Sequence, residues 1–330
     1  MSLNKVQQAA KELIASDAKF IQSLFLMNSN GKKNFNNYIT MFSPYLGIFV
    51  DGAEQWAKKV GIPAQSFTKE EKVYYETMRL GMKIFENDYE TLKANLESKL
   101  RESDDYFKSI SNFWDWLRGY HYNVGTDIYK GIYCGNTILC SVYTPFYKIG
   151  NMDGEKIKKL AEVAGKLTID FNKKVEIMNH QELSILRYKD YNYNKSNFIK
   201  VNDFYGFILF CILCSINYVI VFIENFFIGE TPQKLKYAYL NYYYLCNFIE
   251  ELNLKLKLHI TIDKSMYNTG FRNCLAHYGL GQFLKESEII NNDLLKGLTQ
   301  KAFNLDYNNT KERIYIILKN VVTQIEKIIF

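Results

Sequence analysis

The chain has 330 residues, 41 Lys and Arg against 35 Asp and Glu, and a net charge of +6. That length suffices for one elongated helical body or for two domains of about 150 residues each, with a real core in either case. The charge suits RNA but falls far below that of a dedicated nucleic-acid binder. The 16% aromatic content, with only 4 Pro and abundant Asn, Ile and Lys, reads as AT-rich codon bias and not as a set of base-stacking platforms.

Met1-Ser2-Leu3-Asn4-Lys5 opens a polar helical pattern and not a signal peptide, which predicts a cytoplasmic location. Apolar residues recur at helical spacing almost throughout, so the fold class is all-α, a helical bundle. Thr68-Lys69-Glu70-Glu71 has the form of a capping box. It predicts a helix to about Arg101, with Met78, Met82, Phe85, Tyr89, Leu92 and Leu96 along its packing seam. Next, Phe113 to His121 brings together Trp114, Trp116, Arg118 and His121; packing is the expected role, with a partner surface as the alternative.

Tyr143 to Gly154 holds Pro145 and two glycines, and divides the chain into an N-terminal helical region, 1–150, and a second helical domain, 151–330. Asp153 starts a helix whose stripe runs from Ile157 to Val175, and Tyr188 to Lys200 reads as a loop. The stretch Phe204 to Ile223 could span a bilayer by length. It lacks a flanking Lys/Arg cluster and contains Asn217, so a buried core helix is expected and membrane association is the lesser reading. Thr231-Pro232 marks a helix start, running to about Leu254. A final helix from about Thr310 carries Ile314, Ile317, Leu318, Val321, Ile325 and Ile328 on one side. The six cysteines show no framework spacing, and Cys211-x2-Cys214 sits in an apolar run that could not present thiolates to a metal.

Phe271-Arg272-Asn273-Cys274-Leu275-Ala276-His277-Tyr278-Gly279 is the one run whose polar residues suggest chemistry. On a helix Asn273 and His277 share a face, Gly270 lies on that face a turn earlier, and a long Arg272 side chain reaches round to it. Phe271, Leu275 and Tyr278 fall on an apolar stripe, and Gly279 and Gly281 form a stop. A histidine can move protons near neutral pH, and a guanidinium offers a planar fork to phosphate oxygens.

This Arg-x4-His spacing resembles the signature of the HEPN superfamily, all-helical proteins that include metal-independent endoribonucleases of phage defence and toxin–antitoxin systems. The resemblance implies a four- to five-helix bundle over residues 151–330, with the motif on the penultimate long helix. It implies His277 as general acid/base and Arg272 as phosphate clamp; Asn273, one turn below His277, would orient the imidazole or donate to a phosphate oxygen, and Gly270 and Tyr278 would line the RNA site. Neither cofactor nor metal is implied. The products would be a 2′,3′-cyclic phosphate and a 5′-hydroxyl. With no second motif, since His121, His180 and His259 lack an arginine at the required spacing, two copies in a homodimer would form the composite site. A toxin of this kind would have an antitoxin. Tyrosine stands one residue after His277, where antitoxin-modified relatives carry it two residues after, which counts against regulation by tyrosine modification. A non-catalytic HEPN-like module binding a nucleotide, RNA or protein is the rival reading.

Overall fold

The computed structural model describes residues 2–29, 37–61, 67–118, 121–144, 185–195, 197–279 and 283–330. The helix expected from Asp153, His180, Gly281 and nearly all of the proposed boundary at 143–154 lie outside the described residues. The fold is mostly helical. In chain order the helices are α1 (Lys5–Ser29), α2 (Ser43–Val60), α3 (Lys69–Gly81), α4 (Tyr89–Ile110), α5 (Phe113–Arg118) and α6 (Thr137–Tyr143). Then come α7 (Tyr205–Phe226), α8 (Pro232–Leu256), α9 (Thr269–Ala276), α10 (Leu294–Phe303) and α11 (Tyr307–Ile329).

The capping box at Thr68 is formed: the Glu71 N–H donates to Thr68 Oγ1 at 3.2 Å and the Thr68 N–H to Glu71 Oε2 at 2.8 Å. The helix it starts does not reach Arg101. It ends at Gly81, and α4 begins anew under Asp88, whose carboxylate accepts the Thr91 N–H at 2.9 Å. Met78, Met82, Phe85, Tyr89, Leu92 and Leu96 are nonetheless all buried, because a short 3-10 turn at Ile84–Glu86 keeps the apolar side chains facing inward through the break.

A small antiparallel sheet departs from a purely helical fold. Strand β1 (Val124–Tyr129) lies between β2 (Ile132–Asn136) and β3 (Arg187–Tyr191), so the loop expected from Tyr188 opens as a strand. Lys130 and Gly131, at φ 50° and 84°, make the two-residue turn between β1 and β2 that matches strand twist. The sheet packs on α7 through β2.

The apolar stretch at 204–223 is a core helix here: 94% of its apolar window is buried inside the fold. Its polar residues are paired, Ser215 Oγ donating to Asn241 Oδ1 at 2.7 Å and Asn217 Nδ2 to the Tyr133 carbonyl at 3.0 Å. All six cysteines are free and buried. By contrast Phe113 and Trp114 are each 64% exposed, so the packing role expected for this aromatic segment does not hold for them. His121 pairs with Asp104 through Nε2, and Gly119 and Tyr120 lie outside the described residues.

One hydrophobic core draws on both halves of the chain, from Ala9 in α1 to Ile329 in α11. Inside it lies a charged knot. The Asp17 carboxylate of α1 accepts hydrogen bonds from Tyr45 Oη at 2.7 Å, Gln233 Nε2 at 2.6 Å, Lys236 Nζ at 2.5 Å and the hydroxyl of Tyr278. Asp17 and Lys236 are both fully buried, and the ammonium also lies 3.9 Å from the Tyr278 ring centroid. Burial drives the lysine toward its neutral form, opposed by the Asp17 charge.

Asp127 of β1 is a second buried acid, its Oδ2 without a hydrogen-bond partner among the described residues. Burial pushes its carboxyl up to about 7, against the pull of the Asn37 and Tyr38 backbone amides. The folded protein therefore holds a proton that the unfolded chain releases near pH 4, so this group favours folding most at acid pH and less as pH rises toward 7. Asp127→Asn is expected to flatten that decline by about 1.4 kcal/mol for each pH unit between 4 and 7. Urea unfolding of parent and variant across that range would reveal equal slopes if the idea is wrong.

Candidate functional site

Helix α9 starts under Asn268, whose side chain accepts the Phe271 N–H at 2.9 Å, and ends by a left-handed reversal. Tyr278 and Gly279 take φ values of 52° and 70°, and the Gly279 N–H returns to the Cys274 carbonyl at 2.9 Å. His277 is thus the first residue past an eight-residue helix, with α10 and α11 still to follow, so the motif is not on a penultimate long helix. Positive φ is costly for a tyrosine. The anchor is its hydroxyl, which reaches Asp17 in the core.

That anchoring changes two of the expected roles. Tyr278 is fully buried and its hydroxyl is engaged, so it holds the backbone beneath His277 and does not present itself to RNA. Gly270 does not open a path for phosphate either: a Cβ there would lie 2.4 Å from the Phe283 ring, which occupies the space. Asn273 is exposed and its side chain makes no hydrogen bond among the described residues. It meets His277 only through backbone, the His277 N–H donating to its carbonyl at 3.0 Å, so it does not orient the imidazole.

The imidazole of His277 is half-buried and without a hydrogen-bond partner among the described residues. Burial and the positive charges of Arg79, Arg272 and Lys83 hold its pKa below the ordinary 6.5, with Asp51 opposing them. Arg272 lies 4.9 Å from the Tyr243 ring centroid and 5.8 Å from that of Tyr244, with no carboxylate within 4 Å among the described residues. Its buried Nε has no hydrogen-bond partner among the described residues. Tyr243 in turn stacks on Tyr267 at 4.4 Å and meets Thr269 Oγ1 at 3.1 Å. Burial alone would raise the Tyr243 phenol; hydrogen bonding to Thr269, Tyr267 and Arg272 outweighs it and holds the pKa below the ordinary 10.0. A shallow hollow lined by Phe85, Glu86, Tyr243, Tyr244 and Asn247 adjoins these rings.

Sequence reasoning missed Asp51, Arg79 and Lys83, which come from α2, α3 and the turn after α3. Two glycines bring them in. A Cβ on Gly52 would lie 2.4 Å from the Tyr278 ring, and one on Gly47 would lie 2.4 Å from the Arg79 backbone nitrogen. The first seats α2, with Asp51, against the end of α9; the second seats α3 against α2. Arg79 Nη1 then meets Asp51 Oδ2 at 2.9 Å. No local signal in the sequence joins residues so far apart.

The arrangement can hold a neutral imidazole beside fixed positive charge, a setting that favours a bound anion and a base that remains unprotonated near neutral pH. Among the described residues no group of three or more His, Cys, Asp or Glu is placed to hold a metal ion. Compared with protein-family models, with curated proteins and with solved structures, the chain matches none.

Proposed function

We propose that the chain is a metal-independent endoribonuclease of the HEPN type, acting as a homodimer in the cytoplasm, as a toxin or phage-defence effector. The observation that supports this reading most is the half-buried His277 imidazole near Arg272, the first with no hydrogen bond and the second with no acid within 4 Å among the described residues. His277 would take the proton of a 2′-hydroxyl as that oxygen attacks the adjacent phosphorus. The bond from phosphorus to the 5′-oxygen then breaks, and the leaving oxygen receives a proton from the second subunit's imidazole. Arg272 would hold the phosphate oxygens as charge gathers on them. The 2′,3′-cyclic phosphate and 5′-hydroxyl ends follow from that proton and bond bookkeeping.

A labelled RNA incubated with the protein should be cut equally well in EDTA, and an all-DNA strand of the same sequence should survive for want of a 2′-hydroxyl. Cleavage of the DNA strand, or none of the RNA, removes the proposal. The rival reading, a module that binds a nucleotide, RNA or protein without cutting, is favoured by one feature: the guanidinium already rests on Tyr243 and Tyr244. Tight RNA binding with no cleavage would decide for it.

A further inference from the structure

The catalytic scheme above gives each subunit one phosphate-binding guanidinium, Arg272. We propose that Arg79 is a second one: the N-terminal region, through α3, supplies part of the surface that holds the phosphodiester chain of a single RNA strand at His277. This rests on the ribonuclease reading for the identity of the strand, though not for the presence of an anion site.

Two features of geometry carry it, and the charge around His277 agrees with them. Arg79 is in the last turn of α3, and Gly47 lets that backbone sit against α2 at a distance no side chain would permit. The same helix α2 is locked at Gly52 against the ring of Tyr278, the residue next to His277. The Arg79 backbone is therefore fixed relative to that of His277, and Asp51 of the same helix α2 holds its guanidinium. Second, the guanidinium is only partly used. One of its terminal nitrogens meets Asp51 at 2.9 Å, no other ion pair engages it among the described residues, and the side chain is 27% exposed, so a five-donor fork retains capacity for an anion. The charge balance around His277 is positive. Arg79, Arg272 and Lys83 act on it, Asp51 acts the other way, and Lys83 also meets Glu86 at 3.2 Å. A phosphodiester brings the missing negative charge. Two guanidinium groups reaching it from α3 and from α9 would fix both the phosphate to be cut and its neighbour along the strand.

The test uses an RNA that binds without being cut, a fluorescently labelled 2′-O-methyl oligonucleotide, with affinity read by anisotropy at two salt concentrations. Arg79→Gln should weaken binding about tenfold or more and lower the salt slope by about one ion, as for a lost phosphate contact. Arg79→Lys should retain part of the affinity, and Lys319→Gln, on the exposed side of α11, should behave as the parent. Asp51→Asn breaks the same ion pair as Arg79→Gln but removes a negative charge, so it should bind at least as tightly as the parent. If Asp51→Asn loses affinity as Arg79→Gln does, the arginine serves only to tie α2 to α3 and the proposal fails. It fails equally if Arg79→Gln binds like the parent while RNA is still cleaved, a result that leaves the ribonuclease reading intact. A parent that binds the oligonucleotide through Arg79 but never cuts unmodified RNA has the opposite meaning: the anion site stands and the nuclease falls.

Discussion

His277→Ala is expected to slow RNA cleavage by about 10²–10⁴-fold, the usual worth of a positioned proton-transfer group, while leaving the fold unchanged. The imidazole makes no hydrogen bond among the described residues, so its removal strands no partner. The thermal midpoint and oligomeric state should therefore match the parent's, which separates loss of chemistry from loss of structure. The pH profile gives an independent check. Burial and the nearby cations favour the neutral ring, so the acid limb of kcat/KM should reach half its height below pH 6.5. Cleavage by the alanine variant at the parental rate, or an acid limb above that value, would contradict a base at this position.

The second large effect is on stability. Asp17→Ala leaves the Lys236 ammonium in the core without its counter-charge and takes the acceptor from Tyr45, Gln233 and Tyr278 at once. Breaking a buried pair from one side costs about 3–5 kcal/mol. A urea midpoint within error of the parent's would show that the knot contributes nothing. The double variant Asp17→Leu with Lys236→Met should recover much of the loss, since an apolar pair of similar size restores no charge but leaves none stranded. The losses from Asp17→Ala and from Lys236→Ala should not add, because both act on one network.

Much of the helical framework was legible because its signals are local. The capping box at Thr68, the proline opening α8 and the inward stripe of α11 each involve residues within a turn or two of one another. The break between α3 and α4 was hidden because the apolar seam continues across it without interruption. The sheet was hidden for a different reason: strands of five and six residues with Asp127, Thr126 and Lys189 among them carry little alternation, and the Lys130-Gly131 turn was the one available clue. Exposure of Trp114 could not be inferred from its type, because aromatic residues are buried only where a neighbouring element is available to cover them.

At the candidate site, the spacing of the motif pointed to Arg272 and His277, and in the fold the Arg272 charge acts on the His277 imidazole. It misjudged Gly270 and Tyr278, whose surroundings are set by Phe283 and Asp17, residues with no sequence proximity that would betray the contact. Asp51 and Arg79 were invisible for the same cause. A short motif specifies which functional groups are available; which of them meet is decided by distant helices.

The grip of Tyr278 on Asp17 spans 261 positions. A fragment beginning at residue 151 would keep Arg272, Asn273 and His277, yet it would lack Asp17, Asp51 and Arg79 altogether. Its Tyr278 would hold a left-handed backbone with nothing to clasp, and its Lys236 would have to shed its proton or reach for water. Excision would thus keep the nine-residue run while unseating the histidine it was meant to carry, and the first helix belongs to the site as surely as the motif does.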